Sequence, residues 1–583
     1  MQPGVLCVSR RGAVPTSGDV RRALALAGIE DPTVEETGGL VVALWGGFAL
    51  PDTGYVALAS VARRHERQLS DDDVVRLLDD EDLAGLAEVL PPFGAFRRVS
   101  ADEAVAVTDA LGFRHVYHAH GPDHAALSTS SRVLGALGGE GLDREAFAVQ
   151  SLLGWQVGQG TLHAGVTKLA PGHLVRLRHG RLHLVDGRPT PCAPLGLDEA
   201  VTAATDMLRA HLTAYVTDHP DATLQLTGGQ DSRILLSAVP PDLRRGLRAM
   251  TLAVPGSPDA EIAARIADRT GLEHQVEVLE SLDGLTAEQA YALAAEASLR
   301  LEEMADPLAL AALTVVEQSF DQGHRIAGLG GEVARGFYYL GSPRRTAVTR
   351  SRVSRLTGWR MFANEAVDPA ALAAPLREVA EQVAVDRIHG LMAATGKEWL
   401  AATDDFYLEQ RMQRWAGVTD TAVCLDRSVA NPMLDDRFIA IAQAMSPVSK
   451  RGSLFLARLQ MSLDPALGAM PLDGRPPPAS FARPGMANTA RAAQSVARKA
   501  VAKARQRWSS TTRPPAGGTI LAARVVEHWR RHPGLLDSAR EHRVLDDAWL
   551  DRLISGEVSP DPSTVAYVLN VSTLPASRSR DLA

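Results

Sequence analysis

A glycine pair followed by an acidic residue is the first place where the sequence indicates chemistry. The stretch "QLTGGQDSRILL", 225–236, places Gly228 and Gly229 between a short apolar run and an apolar-periodic segment. Glycines there let backbone N–H groups approach an anion, and the following helix N-terminus favours negative charge. Nucleotide loops usually place a lysine after such glycines, whereas this loop has Asp231. We therefore interpret Asp231 as a ligand of Mg²⁺, which would lie between its carboxylate and the phosphates.

Two hydroxyl groups and a second glycine loop support this interpretation. Thr227 and Ser232 belong to the first loop and can donate hydrogen bonds to phosphate oxygens. The stretch "GLGGEVARGFYY", 328–339, again follows a strand pattern and carries one acid after its glycines, Glu332. If both loops lie at the carboxyl edge of one sheet, Glu332 and Asp231 can share a metal-bound triphosphate or pyrophosphate. For the first loop alone, the alternative is a tight strand–helix turn capped by Asp231.

The elements that would position these loops alternate between strands and helices. Between about 196 and 332, segments with helical periodicity are separated by short apolar runs such as "ATLQLTGG" and "HRIAGLGGE", which end in glycines. This alternation predicts a doubly wound parallel sheet, in which ligands bind beyond the carboxyl ends of the strands. From about 355 to 470 the pattern is mostly helical.

The N-terminal third has a different pattern. Short β-like runs and turns fill about the first 190 residues, and "HLVRLRHGRLHLV" alternates as a hairpin around His179 and Gly180. This predicts a β-rich α+β domain that ends in the turn-rich stretch 186–196. The fold class we expect is α/β. The predicted domains are a β-rich domain over 1–190, a parallel-sheet domain over 196–475 and a helical extension over 476–583.

The bulk composition excludes several classes of protein. The chain has 583 residues, 45% hydrophobic and 22% charged, which is ordinary for a globular protein with large cores. The net charge of −8 argues against a general binder of nucleic acid or of an anionic membrane. Cys7, Cys192 and Cys424 form no metal-binding or disulfide pattern, which fits a reducing compartment. With no signal-peptide pattern and no apolar run of about 18 residues, we expect a cytoplasmic protein.

One segment of this chain with a net negative charge is basic and rich in alanine. It covers 490–508, follows the proline-rich break "DGRPPPASFARPG" and has a helical pattern. We interpret it as a solvated helix, the alternative being a contact with RNA or with an acidic leader segment. We expect neither nucleic acid nor a membrane as a partner.

The motifs together resemble the asparagine synthetase / β-lactam synthetase superfamily of ATP pyrophosphatases. "LTGGQDSR" resembles its S-G-G-x-D-S pyrophosphate loop, and "GLGGEVARGFYY" resembles its G-E-G-A-D-E-x-x-x-G-Y segment. "RSVANPMLDDRFIAIAQAMSP" is similar to its E-x-R-x-P-F-L-D segment, and "FGAFRRVSADEAVAVTDALGFRHVYHA" is similar to part of its N-terminal glutaminase domain. The resemblance runs from about residue 90 to residue 475.

The resemblance implies ATP and Mg²⁺ as cofactors and a reaction in two halves. A carboxylate attacks the α-phosphate to give an acyl-adenylate and pyrophosphate, and an amine then displaces AMP. The residues that would form the pyrophosphate loop are Thr227, Gly228, Gly229, Asp231 and Ser232, with Glu332 as the second metal ligand. The residues that would line the adenine and ribose site are Leu226, Leu252 and Gly328. Lys450 would stabilise the transition state of acyl transfer, the alternative being a solvent-exposed lysine.

The sequence departs from the family at two positions that matter for the reaction. The glutaminase domain requires a cysteine at residue 2, where this chain has Gln2, and Cys7 lies in an apolar run as a buried, inert thiol. We therefore expect no glutaminase activity. Leu329 stands where asparagine synthetases have glutamate and β-lactam synthetases have tyrosine, so another group must deprotonate the amine. The candidates are Tyr338, Tyr339, Glu302 and Glu303.

Several functions are compatible with these features. We favour an AMP-forming amide synthetase of natural-product biosynthesis, such as a lasso-peptide macrolactam cyclase, whose substrates are a carboxylate and an amine on a peptide or small molecule. A leader-binding protein or protease of the same pathway would be a further partner. The alternatives are an amidotransferase that uses ammonia or a small amine, and a non-catalytic scaffold that keeps the fold without the chemistry.

Overall fold

The computed structural model describes residues 2–59, 61–188, 192–253, 258–341, 345–363, 365–424, 427–482 and 517–575. The basic helix expected over 490–508 lies outside the described residues. None of the described helices combines the length and apolar character needed to cross a membrane.

The N-terminal region consists of two antiparallel sheets and several helices. One sheet has the order β11-β9-β10-β1-β3-β2, the other β13-β12-β8-β7-β4, and β5 and β6 form a separate ribbon. The strands are β1 Gly4–Arg10, β2 Thr33–Thr37, β3 Leu40–Trp45, β4 Tyr55–Ala57, β5 Arg63–Arg64, β6 Arg67–Gln68, β7 Gly94–Arg98, β8 Glu103–Thr108, β9 Tyr117–His120, β10 His124–Ser128, β11 Thr167–Lys168, β12 His173–Arg178 and β13 Arg181–Asp186. The helices are Ser17–Leu26, Asp71–Asp79, Leu83–Ala87, Ser131–Gly138 and Arg144–Leu153.

Side chains alternate between the two faces of each strand, so the N-terminal region has four layers: two sheets packed face to face, with helices covering the outer face of each sheet. Val5 and Cys7 of β1 point between the two sheets, whereas Leu6 and Val8 point outward against the helices that cover the first sheet. The second sheet is covered in the same way by the helices Asp71–Asp79 and Leu83–Ala87. The expected β-rich α+β character of this region is therefore present as antiparallel sheets with helices on their outer faces.

A five-stranded parallel sheet comes next in the chain, as the alternation of strands and helices predicts. Its order is β16-β15-β14-β17-β18, and every neighbouring pair is parallel. The strands are β14 Thr223–Gln225, β15 Arg248–Ala253, β16 Glu273–Val278, β17 Arg325–Ile326 and β18 Val429–Ala430. The chain runs outward from β14 to β16 and then returns to β17 on the other side of β14. The boundary between β14 and β17 is thus a topological switch point, where doubly wound sheets bind ligands.

Helices surround this sheet and make up most of the remaining chain. Up to residue 468 they are Leu197–Asp218, Asp231–Ala238, Pro241–Arg244, Asp259–Thr270, Ala287–Arg300, Pro307–Glu317, Arg350–Leu356, Ala374–Ala394, Trp399–Phe406, Gly417–Cys424, Asp436–Ala444, Pro447–Lys450, Leu454–Leu463 and Pro465–Gly468. The turns Thr357–Met361 and Tyr407–Ala416 are π-helical. Beyond residue 516 the helices are Gly518–Arg531, Asp537–Glu541, Asp547–Ser555 and Pro562–Thr573.

The C-terminal helices pack against both preceding regions. Tyr567 donates a hydrogen bond to the carbonyl of Phe147 in the N-terminal region, at 3.2 Å. Asn570 Nδ2 donates to the carbonyl of Ala305, at 2.9 Å. The helix Gly518–Arg531 shares a buried cluster with the helices Ala287–Arg300 and Pro307–Glu317. These contacts join the C-terminal helices to the rest of the fold.

A buried arginine fixes the segment beneath the first glycine loop. Arg233 is fully buried, and its guanidinium donates to the carbonyls of Gly228, Leu467, Met470 and Pro471 at 2.7–3.4 Å. Burial lowers the pKa of Arg233 to about 10, so the side chain is still charged at neutral pH. One cation therefore satisfies carbonyls from two segments about 240 residues apart in the chain.

Replacing Arg233 should loosen this part of the molecule. Arg233→Met removes a charged donor from four carbonyls, so we expect a loss of about 3 kcal/mol in the free energy of unfolding. Thermal unfolding measures the loss, and hydrogen exchange should show faster exchange at 226–232. Arg245→Met, at an exposed arginine nearby, is the matched control and should change stability by less than about 0.5 kcal/mol. Equal stability of the two variants would contradict the role of Arg233.

Candidate functional site

The two glycine loops meet at the switch point of the parallel sheet. Because β14 and β17 are adjacent and parallel, both loops leave the same edge of the sheet. A methyl group on Gly331 would lie 2.4 Å from Asp231 Oδ1, and one on Gly328 would lie 3.1 Å from the amide nitrogen of Ser232. A side chain at residue 331 would therefore overlap the Asp231 carboxylate. The loops are in direct contact, which is the arrangement that a shared metal site requires.

The first loop is held in shape by its own side chains and by one acid from the helix that follows β15. Thr227 Oγ1 accepts a hydrogen bond from the amide of Gly229 and lies 3.0 Å from Ser232 Oγ. The amide of Gly228 donates to Asp259 Oδ1 at 2.6 Å. Asp259 is the first residue of the helix Asp259–Thr270. Its contact with the loop is not evident from the sequence, where it reads only as an acidic residue in the first turn of a helix.

Asp231 and Glu332 face each other as two largely buried carboxylates. Asp231 Oδ1 and Glu332 Oε2 are buried and have no hydrogen-bond partner among the described residues. Burial, and then the nearby charge of Glu332, raise the pKa of Asp231 to about 7. Buried carboxylate oxygens that lack a donor are suited to a hard divalent cation. These two residues therefore fit the Mg²⁺ site that the loops predict.

Two arginines add positive charge beside the acids. Arg335 Nη2 lies 2.6 Å from Glu332 Oε1, and its Nη1 lies 3.5 Å from Asp231 Oδ2. Arg475 is also close enough to Asp231 to lower the pKa of that carboxyl. The site thus combines two acids with two guanidinium groups, which is a composition suited to a phosphate chain and its metal. The sequence reasoning identified neither arginine.

Lys450 is a buried residue in an ion pair, so the alternative of a solvent-exposed lysine is wrong. Its side chain is 3% exposed, and its Nζ lies 2.8 Å from Asp404 Oδ2. The Tyr339 hydroxyl donates to the same oxygen at 2.7 Å. A cavity of about 50 Å³ adjoins Asp404, Lys450 and Val333, and Val333 directly follows Glu332. The cluster therefore lies beside the second glycine loop.

Asp404 is the basic group of this cluster and was not identified from the sequence. Burial raises the pKa of Asp404, while the neighbouring charge of Lys450 acts in the opposite direction. Burial and the charge of Asp404 raise the pKa of Tyr339 above its ordinary value. Tyr339 therefore keeps its proton at neutral pH, and the carboxylate that it contacts is the acceptor. Asp404 lies on the helix Trp399–Phe406, where the sequence shows only a polar residue in a helical pattern.

The other candidate bases occupy structural positions. Tyr338 is 2% exposed and packs edge-on against Phe337 with ring centroids 5.1 Å apart. Burial raises the pKa of Tyr338, which disfavours its ionised, basic form. The Tyr338 ring thus forms part of an aromatic wall behind the second glycine loop.

Glu302 and Glu303 anchor a helix of the N-terminal region. Glu302 Oε2 accepts hydrogen bonds from Ser130 Oγ and from the amide and hydroxyl of Ser131, at 2.8–3.1 Å. Glu303 is fully buried and pairs with Arg132 at 2.7 Å. The structure therefore places both carboxylates at the start of the helix Ser131–Gly138, and these contacts do not connect them to the glycine loops. The sequence could not show this, because the partners lie about 170 residues away.

The residues expected around adenine and ribose lie at the carboxyl ends of three adjacent parallel strands, β15, β14 and β17, and the amide of Leu226 donates to the carbonyl of Met250 at 2.8 Å. The Leu226 side chain is fully buried in the core of the parallel-sheet region, so only its backbone is available to a ligand. Leu252 is partly buried and packs against a different cluster, which includes the C-terminal helices. Gly328 lies against Ser232 at the contact between the two loops. The Leu226 side chain is thus a core residue and not a lining residue.

The N-terminal residues Gln2 and Cys7 are both engaged in the fold. Gln2 Nε2 donates to the carbonyl of Arg300 at 2.6 Å, and the carbonyl of Gln2 accepts from Trp45 Nε1 at 2.8 Å. Cys7 is fully buried between the two antiparallel sheets, and burial raises the pKa of its thiol to about 12. This thiol is inert at neutral pH, as its position in an apolar run indicates.

Comparison with known proteins adds little to this geometry. No family model matches the chain, and none of the curated proteins matches it. Among solved structures, the chain is similar to glutamine phosphoribosylpyrophosphate amidotransferase from B. subtilis complexed with ADP and GMP. That match has 11% identity and a TM-score of 0.22, and it covers 47% of this chain and 65% of that chain.

A second solved structure gives a comparable match. It is described as the allosteric regulatory enzyme of purine biosynthesis, with 9% identity and a TM-score of 0.23 over 47% of this chain and 80% of that chain. Likenesses at these values carry no argument about family or activity, so a function for this chain must be inferred from the geometry of its own site.

The raised pKa of Asp231 predicts a pH-dependent metal affinity. Because Asp231 must be ionised to bind Mg²⁺, affinity should fall as the pH drops through about 7. Calorimetric titration with MgCl₂ between pH 6 and pH 8.5 measures this effect. Asp231→Asn should bind weakly at every pH, and a wild-type affinity that does not change over this range would contradict the assignment.

Proposed function

We propose that the protein is an ATP-dependent, AMP-forming carbon–nitrogen ligase. It would adenylate a carboxylate, release pyrophosphate and transfer the acyl group to an amine. The observation that carries the proposal is the contact between the two glycine loops, which brings the partnerless carboxylate oxygens of Asp231 and Glu332 to the switch point of the sheet.

In the first half-reaction these residues would act on the phosphates of ATP. Mg²⁺ held by Asp231 and Glu332 would neutralise negative charge on the phosphate chain. Arg335 and Arg475, which lie beside these acids, would stabilise the departing pyrophosphate by charge, without any proton transfer. An oxygen of the substrate carboxylate attacks the α-phosphorus, and the bond to the β-phosphate breaks. The loop thus needs no lysine, because arginine and metal supply the positive charge.

The Lys450–Asp404–Tyr339 cluster supports the second half-reaction. The amine nitrogen attacks the acyl carbon, AMP leaves, and the proton of the amine passes to Asp404. Lys450, fixed by its ion pair with Asp404, would stabilise the negative charge that develops on the acyl oxygen. Tyr339 remains protonated and orients the carboxylate. This cluster would replace the proton acceptor that Leu329 cannot provide.

The inert Cys7 thiol favours an amine that does not come from glutamine. We therefore propose an amide synthetase of natural-product biosynthesis, such as a lasso-peptide macrolactam cyclase, in preference to an asparagine-synthetase-like enzyme that uses ammonia or a small amine. A leader-binding protein or protease of the same pathway would be a further partner. The buried, partnerless carboxylate oxygens of Asp231 and Glu332 argue against a non-catalytic scaffold, because buried polar atoms without a partner are costly.

Asp231→Asn should abolish the first half-reaction. Without this carboxylate the metal loses a ligand, so ATP–pyrophosphate exchange driven by a carboxylate or peptide acid should fall at least about 100-fold. Asp242→Asn, at an exposed acid on the next helix, is the matched control and should exchange like the wild type. Exchange that survives in Asp231→Asn would refute the metal role. A wild type with neither exchange nor an ATP-dependent thermal shift would refute the ligase proposal.

Lys450→Met should separate the two half-reactions. Exchange should persist while amide formation falls about 100-fold or more, because the variant loses a charge that acts only in acyl transfer. Lys397→Met is the matched control, since Lys397 pairs with the adjacent Asp405 at 2.8 Å and borders the same cavity. Circular dichroism checks folding, because breaking a buried pair is destabilising. Equal amide formation by the two variants would show that Lys450 is structural.

A further inference from the structure

Two histidines and an aspartate lie together at the amino edge of the parallel sheet, opposite the glycine loops. Each of His219, Asp221 and His324 offers one nitrogen or oxygen atom, and these atoms lie within 4.8 Å of one another. His324 Nδ1 lies 2.9 Å from Asp221 Oδ1, and the two imidazole rings stack with centroids 3.8 Å apart. His219 is 8% exposed, and its Nε2 has no hydrogen-bond partner among the described residues.

The topology of the sheet brings these residues together. His219 and Asp221 lie in the turn between the helix Leu197–Asp218 and β14, and His324 directly precedes β17. The amide of Thr223 donates to the carbonyl of His324 at 3.0 Å, which aligns the two strand entrances. Gly323 has a positive φ of 47°, and a methyl group there would lie 2.2 Å from the carbonyl oxygen of Asp221. The close approach of the two turns therefore depends on this glycine.

The Asp221 carboxylate contacts His324 through both of its oxygens, at 2.9 and 3.0 Å, while two nearby arginines pair with other acids. Arg63 pairs with Asp218 at 2.9 Å, and Arg248 pairs with Asp321 at 2.7 Å. Each of these two arginines thus has its own acidic partner. Arg248 also donates to the backbone carbonyl of Asp221, which positions that residue without using its carboxylate.

We propose that His219, Asp221 and His324 bind one transition-metal ion of the zinc class. Two imidazoles and one carboxylate form the donor set that Zn²⁺ prefers, whereas Mg²⁺ and Ca²⁺ prefer oxygen ligands alone. Water completes the coordination, and the stacked rings turn so that one nitrogen of each faces the ion.

A second cluster of metal-ligating types is less suited to an ion. It consists of His65, Asp435 and Asp436. The Asp435 carboxylate already pairs with Arg437 at 2.9 Å and with His211 at 3.2 Å. Its oxygens are therefore satisfied, unlike the partnerless Nε2 of His219.

An ion at the first cluster would connect the entrances of the two strands that carry the glycine loops. The ladder between β14 and β17 contains only two residue pairs, Thr223 with Arg325 and Leu224 with Ile326. A metal bond across the amino ends of these strands would stabilise their pairing. This role is structural and does not depend on the proposed ligase reaction.

The test is a titration of the full chain with zinc after treatment with EDTA. Calorimetry with ZnCl₂ should show one ion per chain, and Zn²⁺ should raise the melting temperature. His219→Gln, Asp221→Asn and His324→Gln should each bind about 10- to 100-fold more weakly. Co²⁺ should give the visible absorption of a low-coordinate site in the wild type and not in these three variants. His65→Gln is the matched control and should bind Zn²⁺ like the wild type.

Three results would overturn the proposal. They are equal Zn²⁺ affinity in the wild type and His219→Gln, loss of binding in His65→Gln, and a wild-type chain that binds no zinc. Metal-free melting curves show whether each variant folds. If the histidine variants unfold, Asp221→Asn still tests the site, because this substitution keeps the size of the side chain. Unchanged Zn²⁺ affinity in Asp221→Asn would also refute the site.

Discussion

The site depends on holding two like charges together in a partly buried place. Raising the pKa of Asp231 to about 7 corresponds to a cost on the order of 4 kcal/mol for its ionised form at high pH. Arg335 offsets part of this cost, because its guanidinium reaches both Asp231 and Glu332. The remaining repulsion favours a divalent cation. Burial of Asp231, and then the nearby charge of Glu332, thus disfavour the ionised pair in the metal-free protein, and a divalent cation would offset both effects.

The scaffold around the acids limits how far they can move apart. Gly331 permits the second loop to touch the Asp231 carboxylate, and Asp259 holds the amide of Gly228. Arg233 ties the first loop to carbonyls of the segment near residue 470. The first loop is therefore held by the Asp259 carboxylate and by the buried Arg233 guanidinium, and it contacts the second loop at Gly331. This is how a fold preorganises charge for a reaction.

The N-terminal region contributes to the fold through contacts with the later chain. The Glu302 and Glu303 carboxylates cap and pair with the helix Ser131–Gly138, and Gln2 donates to Arg300. The C-terminal helix Pro562–Thr573 bonds to Phe147. Residues that suggested chemistry because they are acidic thus serve to join the two regions. The N-terminal region, in which Cys7 is buried between the two sheets, therefore supports the parallel-sheet region by packing against it.

The sequence alone predicts those features of the protein that depend on residues close together in the chain. The periodicities predict the β-rich N-terminal region and the parallel sheet, and the glycine spacing with Asp231 and Glu332 predicts two loops with one acid each. These features are local, because backbone conformation and hydrogen-bonding type depend on neighbouring residues. Only the tertiary structure shows that Asp404 pairs with Lys450, that Arg335 contacts both Asp231 and Glu332, and that Glu302 is buried. Apart from Arg335 and Glu332, which are three residues apart, those pairings join side chains that are distant in the sequence. A residue's pKa and burial depend on which distant groups the fold brings against it.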